Sequence, residues 1–142
     1  MNWDRAKEKM LADAAAEARK RAYAPYSGFS VGAALLTEQG KIYTGCNVEN
    51  AAFTPGCCAE RTAFFKAVSE GEHDFAGIAI VGGKTGEEPS AICPPCGVCR
   101  QVMQEFCDPQ TFRIILPSGS EKWEVYTLAE LLPLGFGGQG KI

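Results

Sequence analysis

The sequence predicts an α/β domain built on a central mixed sheet of five strands, with helices on both faces in three α/β/α layers. Three observations point there: an amphipathic helix opens the chain, a strand hairpin follows it, and the remaining strands alternate with helical segments. Alternation of this kind packs helices against a sheet, and helical crossovers leave the strands they join parallel. The 142 residues suit one domain, 1–142, and a hydrophobic content of 46% is enough to fill its core.

Residues 3–22 read as a helix because Met10, Leu11, Ala14, Ala15, Ala18 and Ala22 form an apolar stripe at helical spacing. Pro25 and the turn-forming Tyr26-Ser27-Gly28 stop it. Residues 29–36 and 41–46 read as strands joined at Glu38-Gln39-Gly40. After a polar loop over 47–56, residues 57–71 predict a helix that buries Ala63, Phe64, Ala67 and Val68 and ends at Gly71. Ile78-Ala79-Ile80-Val81 is a continuous apolar run, as expected of a strand covered on both faces. Residues 82–90 read as a loop, 96–106 as a helix entered after Pro94-Pro95, and 112–116 as a strand. A turn over 117–120, a strand over 123–126 and a short helix over 128–132 complete the pattern, and the glycine-rich tail from Gly135 is expected to be irregular.

A formal charge of -3, with no clustered Lys and Arg, speaks against a nucleic-acid partner. No apolar run approaches the length of a membrane span. Residues Met1 to Lys9 lack the apolar stretch of a secretory signal, so the expected location is cytoplasmic. In that reducing setting the seven cysteines read as thiols and ligands, and an odd number cannot pair completely within the chain.

The chemistry is carried by Cys58-Ala59-Glu60 and Pro95-Cys96-Gly97-Val98-Cys99. Three thiolates can hold zinc and leave its fourth tetrahedral position open. Cys96 and Cys99, three apart on a first helical turn, face the same side. Cys58 opens the other helix, and helix N-termini favour ionised thiols. Sulfurs must come within about 2.3 Å of the ion, so the two helix starts have to converge. Glu60 is placed to handle protons at the open position. Arg61 is placed to offset the net negative charge of three thiolates and one zinc ion by donating to ligand sulfurs.

Other readings stay open at this point. Cys-x-x-Cys at a helix start is equally a dithiol redox motif, and Cys57 or Cys93 as fourth ligand would close a purely structural zinc site. Cys46 and Cys107 read most simply as small buried residues, Cys57 as a spectator, and His73, the only histidine, as a solvated loop residue.

The order Cys-x-Glu then Pro-Cys-x-x-Cys is the signature of zinc nucleobase deaminases. At these residues the chain resembles the small, zinc-dependent cytidine deaminases that act on free nucleosides. Tyr26-Ser27-Gly28-Phe29-Ser30-Val31-Gly32-Ala33-Ala34 resembles the family's first-strand block, and Gly45-Cys46-Asn47-Val48-Glu49-Asn50-Ala51 its nucleoside-binding segment. Cys58-Ala59-Glu60-Arg61-Thr62-Ala63 and Pro95-Cys96-Gly97-Val98-Cys99-Arg100-Gln101 are the zinc blocks, and Leu131-Leu132-Pro133 with Phe136 resembles the C-terminal one.

The resemblance implies hydrolytic deamination of cytidine and 2'-deoxycytidine to the uridines and ammonia, in pyrimidine salvage, by zinc-bound hydroxide with Glu60 as proton shuttle. It implies that Cys58, Cys96 and Cys99 hold zinc and that Asn47 and Glu49 hydrogen-bond the sugar hydroxyls. The Ala59 backbone would meet the pyrimidine carbonyl, Phe29 would pack against the nucleoside, and Phe136 would stack on the base from a neighbouring subunit of a homotetramer. A cytosine-bearing antibiotic nucleoside or a polynucleotide is the alternative substrate, the latter disfavoured by the acidic balance. Two positions depart from the pattern: Phe53 stands where many relatives have tyrosine, and Pro94 where they often have serine. Without the resemblance, Asn47 is a turn residue, Glu49 a solvated charge, and Phe29 and Phe136 packing aromatics.

Overall fold

The structure, a computed structural model, describes residues 1–137; the tail beyond, part of the segment expected to be irregular, lies outside the described residues. The elements run α1 (Arg5–Arg19), β1 (Phe29–Thr37), β2 (Ile42–Cys46), α2 (Ala59–Ser69), β3 (Phe75–Lys84), α3 (Gly97–Phe106), β4 (Arg113–Pro117), β5 (Trp123–Thr127) and α4 (Leu128–Leu131). The five strands form one sheet in the order β2-β1-β3-β4-β5.

The sheet is mixed, as the sequence predicts. Strand β1 pairs antiparallel with both β2 and β3, β3 pairs parallel with β4 across the α3 crossover, and β5 returns antiparallel to β4. The α2 crossover also leaves β2 and β3 running the same way, but with β1 inserted between them.

Alternation along the strands sends side chains to two cores. Ala33, Leu35, Ile78, Ile80, Ile114 and Leu116 pack with Phe64, Met103 and Leu128 from α2, α3 and α4. Ala34, Leu36, Ala79, Val81 and Ile115 pack on the other face with Leu11 and Ala15 of α1. Helices therefore cover both faces.

Helix α1 starts at Asp4, whose carboxylate accepts from the Lys7 N–H at 2.7 Å. It ends at Arg19, short of the expected Ala22. Its buried stripe is Leu11, Ala12, Ala15 and Ala18; Met10, expected to belong to it, is 47% exposed. The sheet is met at Gly32, where a Cβ would lie 2.1 Å from the Ala15 carbonyl oxygen. Small residues on the helix thus match a strand that offers no side chain.

Strand β3 is longer than the apolar run that announces it. Gly82, Gly83 and Lys84, expected in a loop, continue the ladder opposite Val31, Ser30 and Phe29. The hairpin turn ends at Gly40, whose φ of 95° is left-handed. Helix α2 ends as the sequence predicts: Gly71 has φ 97°, its N–H donates to the Val68 carbonyl, and the Glu72 N–H donates to that of Ala67.

Candidate active site

Helices α2 and α3 start side by side, and each is preceded by a cysteine at its N-cap. Cys58 and Cys96 have extended backbones there, φ/ψ of −71°/154° and −70°/169°, and neither side chain makes a capping hydrogen bond. Ser, Thr, Asp or Asn at that position turns its oxygen onto the helix N–H groups. The two sulfurs instead remain available to a ligand while sitting in the positive field of a helix N-terminus. Cys57, expected inside the helix, precedes the cap.

Cys58, Cys96 and Cys99 bring their sulfurs within 4.8 Å of one another, and those of Cys58 and Cys96 are 3.9 Å apart. Three sulfurs about 2.3 Å from one ion at tetrahedral angles stand about 3.8 Å apart. The spacing and the all-thiolate donor set fit zinc. Neither Cys57 nor Cys93 joins this group among the described residues, so no fourth thiolate closes it. Cys93 is instead committed to packing: its sulfur occupies the space a Cβ on Gly82 would take. Burial there pushes its thiol up to about 11, which makes it inert. A dithiol pair would need only Cys96 and Cys99; the third sulfur converging on them speaks for a metal.

The protein groups supply the charges that such an ion calls for. A hydrogen bond from Cys99, then one from Arg61, draws the Cys58 thiol down to about 5, while Cys99 is held well above the ordinary thiol range by keeping the proton the pair shares. Arg61 Nη2 donates to Cys58 Sγ at 3.4 Å. That contact raises the guanidinium pKa and places a fixed positive charge against the sulfurs, in the place the sequence suggests.

Glu60 lies one helical position beyond Ala59 and is only 5% exposed. A carboxylate is rarely buried without a purpose. Burial pushes it up to about 7, and the Cys58 charge adds to the shift. Phe64, fully buried against Phe75 at 5.2 Å between ring centroids, anchors the helix that presents Cys58 and Glu60. Gly45 lets that helix approach β2: a Cβ there would lie 2.5 Å from the Ala59 carbonyl oxygen and 2.6 Å from Ala63 N.

The segment after β2 is tied into the fold. Asn47 Oδ1 accepts from the Val31 N–H and Nδ2 donates to the Phe29 carbonyl, both at 2.8 Å. Each atom keeps one further lone pair or hydrogen. Glu49 is caught by the turn before β1, accepting from the Tyr26 and Ser27 N–H groups at 3.0 and 3.1 Å and from the Ser27 hydroxyl. The Ser27 contacts hold its carboxyl below the ordinary range. Glu49 is therefore a fixed carboxylate rather than a loose loop charge. Ser27 itself went unassigned in the sequence; a hydroxyl in a turn beside Gly28 was the available signal.

Aromatic side chains stand exposed: Phe29 at 41%, Phe136 at 64% and Phe53 at 97%. Cys46 is half-buried, Cys107 is buried and His73 is exposed. No helix among the described residues is long and apolar enough to cross a membrane.

Residues 5–114 match the family model for the cytidine and deoxycytidylate deaminase zinc-binding region. Among curated proteins, the chain is 48% identical over 129 residues to a cytidine deaminase of Sporosarcina psychrophila, covering 91% of this chain and 90% of that one. It is 45% identical over 128 residues to a cytidine deaminase of Halalkalibacterium halodurans, covering 90% and 92%. Among solved structures, a cytidine deaminase from Burkholderia pseudomallei superposes with a TM-score of 0.80 at 46% identity, over 89% of this chain and 97% of that one.

Proposed function

The chain belongs to the cytidine and deoxycytidylate deaminase family, and from that premise we propose that it hydrolyses both cytidine and 2'-deoxycytidine to the corresponding uridine and ammonia. The observation that carries this reading is a buried Glu60 two residues from Cys58, whose sulfur converges with those of Cys96 and Cys99 with no fourth thiolate joining them among the described residues. A nucleoside salvage role in the cytoplasm fits a chain of formal charge -3 whose Cys58, Cys96 and Cys99 remain thiols.

Cys58, Cys96 and Cys99 would hold the zinc. Bound there, zinc supplies Lewis acidity, bringing the pKa of water toward about 7. Arg61 keeps the sulfurs ionised by donating to Cys58. Glu60 takes a proton from the attacking water and passes it to the ring nitrogen of the base, which makes the amino-bearing carbon electrophilic. It then takes the second proton, from the hydroxyl now joined to that carbon, and gives it to the amine, so that the C–N bond breaks, ammonia leaves and the carbonyl of the uridine forms. A buried carboxyl drawn toward neutrality is suited to both directions of transfer.

Asn47 and Glu49 bind the sugar hydroxyls, one able to donate and the other only to accept. Their anchoring on β1 and on the Tyr26-Ser27 turn holds them in place before the sugar arrives. The Ala59 N–H, in the first turn of α2 where helix donors lack intrahelical partners, meets the pyrimidine carbonyl. Phe29 packs against the nucleoside. Phe136 stacks on the base of a neighbouring subunit's site in a homotetramer, which gives an exposed aromatic an occupant.

The test is an ultraviolet deamination assay with cytidine, 2'-deoxycytidine and free cytosine. Turnover of both nucleosides and none of the base is the expected result. Equal activity on cytosine would remove the sugar contacts, and no activity on cytidine would remove the assignment.

A further inference from the structure

We propose that Gln101 is a positioning residue for the nucleoside site: it pins Phe136 to the helix that carries Cys96 and Cys99, a role resting on the placement of Phe136 over the base given above. Three consecutive residues of α3 face in different directions with related effects. Cys99 turns inward to the sulfur cluster. Arg100 reaches both ways, Nε donating to the Pro95 carbonyl at 2.7 Å and Nη1 to the Leu131 carbonyl at 2.6 Å. Gln101 Nε2 donates to the Phe136 carbonyl at 2.9 Å. The loop that delivers Cys96 and the segment that delivers Phe136 are thus fastened to one turn of helix.

The chain between those two fastenings makes a close turn. Leu134 has φ 55°, a left-handed conformation uncommon for a residue with a Cβ, and its side chain is fully exposed at this turn. At Gly135 a Cβ would meet Gln104 Oε1 at 2.8 Å and the Leu132 side chain at 3.0 Å. The segment therefore turns at Leu134 and brings Gly135 against Gln104 of α3 just before Phe136. Phe136 itself projects its side chain into the open, 64% exposed. The hydrogen bond at its carbonyl fixes the Phe136 backbone before ligand arrives, so binding does not bear the cost of ordering that backbone. Arg100 holds the near end of the segment, and Gln101 holds the residue that matters.

Gln101 is exposed, so its replacement leaves the core intact. Gln101→Glu keeps length and shape but loses the donor. The expected result is a KM for cytidine about threefold to tenfold higher, the worth of one net hydrogen bond, with kcat, zinc content and Tm unchanged. Gln101→Lys, which restores a donor, recovers most of the loss. Because Gln101 acts through Phe136, adding Gln101→Glu to Phe136→Ala raises KM no further. An unchanged KM in Gln101→Glu, or effects that simply add in the double variant, overturns the positioning role alone. An unchanged KM in Phe136→Ala removes the placement of Phe136 and this role together.

Discussion

Cys58 and Cys96 are 38 positions apart in the chain, yet their sulfurs lie 3.9 Å from each other at the starts of two neighbouring helices. With Cys99 one turn along, they form a cluster whose donors are all soft. Metal analysis of the purified protein is expected to give one zinc per chain. Cys58→Ala, Cys96→Ala or Cys99→Ala should lose it, while Cys57→Ala and Cys93→Ala should keep it. Release of zinc by Cys57→Ala or Cys93→Ala would reveal a closed, structural site.

Gly45 is where β2 and α2 approach closely, next to the turn that carries Cys58 and Glu60. Gly45→Ala would drive a methyl group into the backbone of α2 at Ala59 and Ala63. The expected cost is about 1–3 kcal/mol of stability. Because the displaced turn contains Cys58 and Glu60, zinc affinity and kcat should fall as well. Thermal unfolding together with a zinc competition titration checks this; a destabilised variant with parental zinc affinity would show that the close approach matters only for packing.

Ser27 governs the ionisation of Glu49. The folded carboxyl is held below its ordinary value by bonds from the Ser27 hydroxyl and N–H. Those bonds are present once Glu49 is ionised and are lost as pH falls through its lowered pKa. Ser27→Ala should move the Glu49 midpoint upward in a carbon NMR titration. A midpoint that stays put would mean that the backbone donors alone set the shift.

Most of the fold was legible because its rules are local. The apolar run at Ile78 to Val81, the turn at Gly40 and the stop at Gly71 each carry their own chemistry, and each appears where expected. Positions decided by tertiary contact were not legible. Met10 matches the helical stripe in composition, but the face that packs on the sheet runs through Leu11, Ala12, Ala15 and Ala18 and leaves Met10 outside it. Gly82, Gly83 and Lys84 look like loop, yet their backbones complete a ladder with β1 that no residue type announces.

The candidate site divides in the same way. The convergence of Cys58, Cys96 and Cys99 was readable because three donors in that order make sense only together. The partners of Ser27 and Arg100 were decided by the fold: Ser27 donates to a carboxylate 22 positions away, and Arg100 to the carbonyl of Pro95 in the loop before its own helix.

The most direct measurement is paired zinc content and turnover of Glu60→Gln. Glutamine matches the shape of a residue that is only 5% exposed, so fold and metal site should survive while proton transfer stops. One zinc per chain, an unchanged far-ultraviolet spectrum, and a kcat for cytidine reduced by more than about ten-thousandfold are expected, since several transfers fail at once. A zinc-loaded Glu60→Gln protein that turns over cytidine within about a hundredfold of the parent would contradict the shuttle role of Glu60.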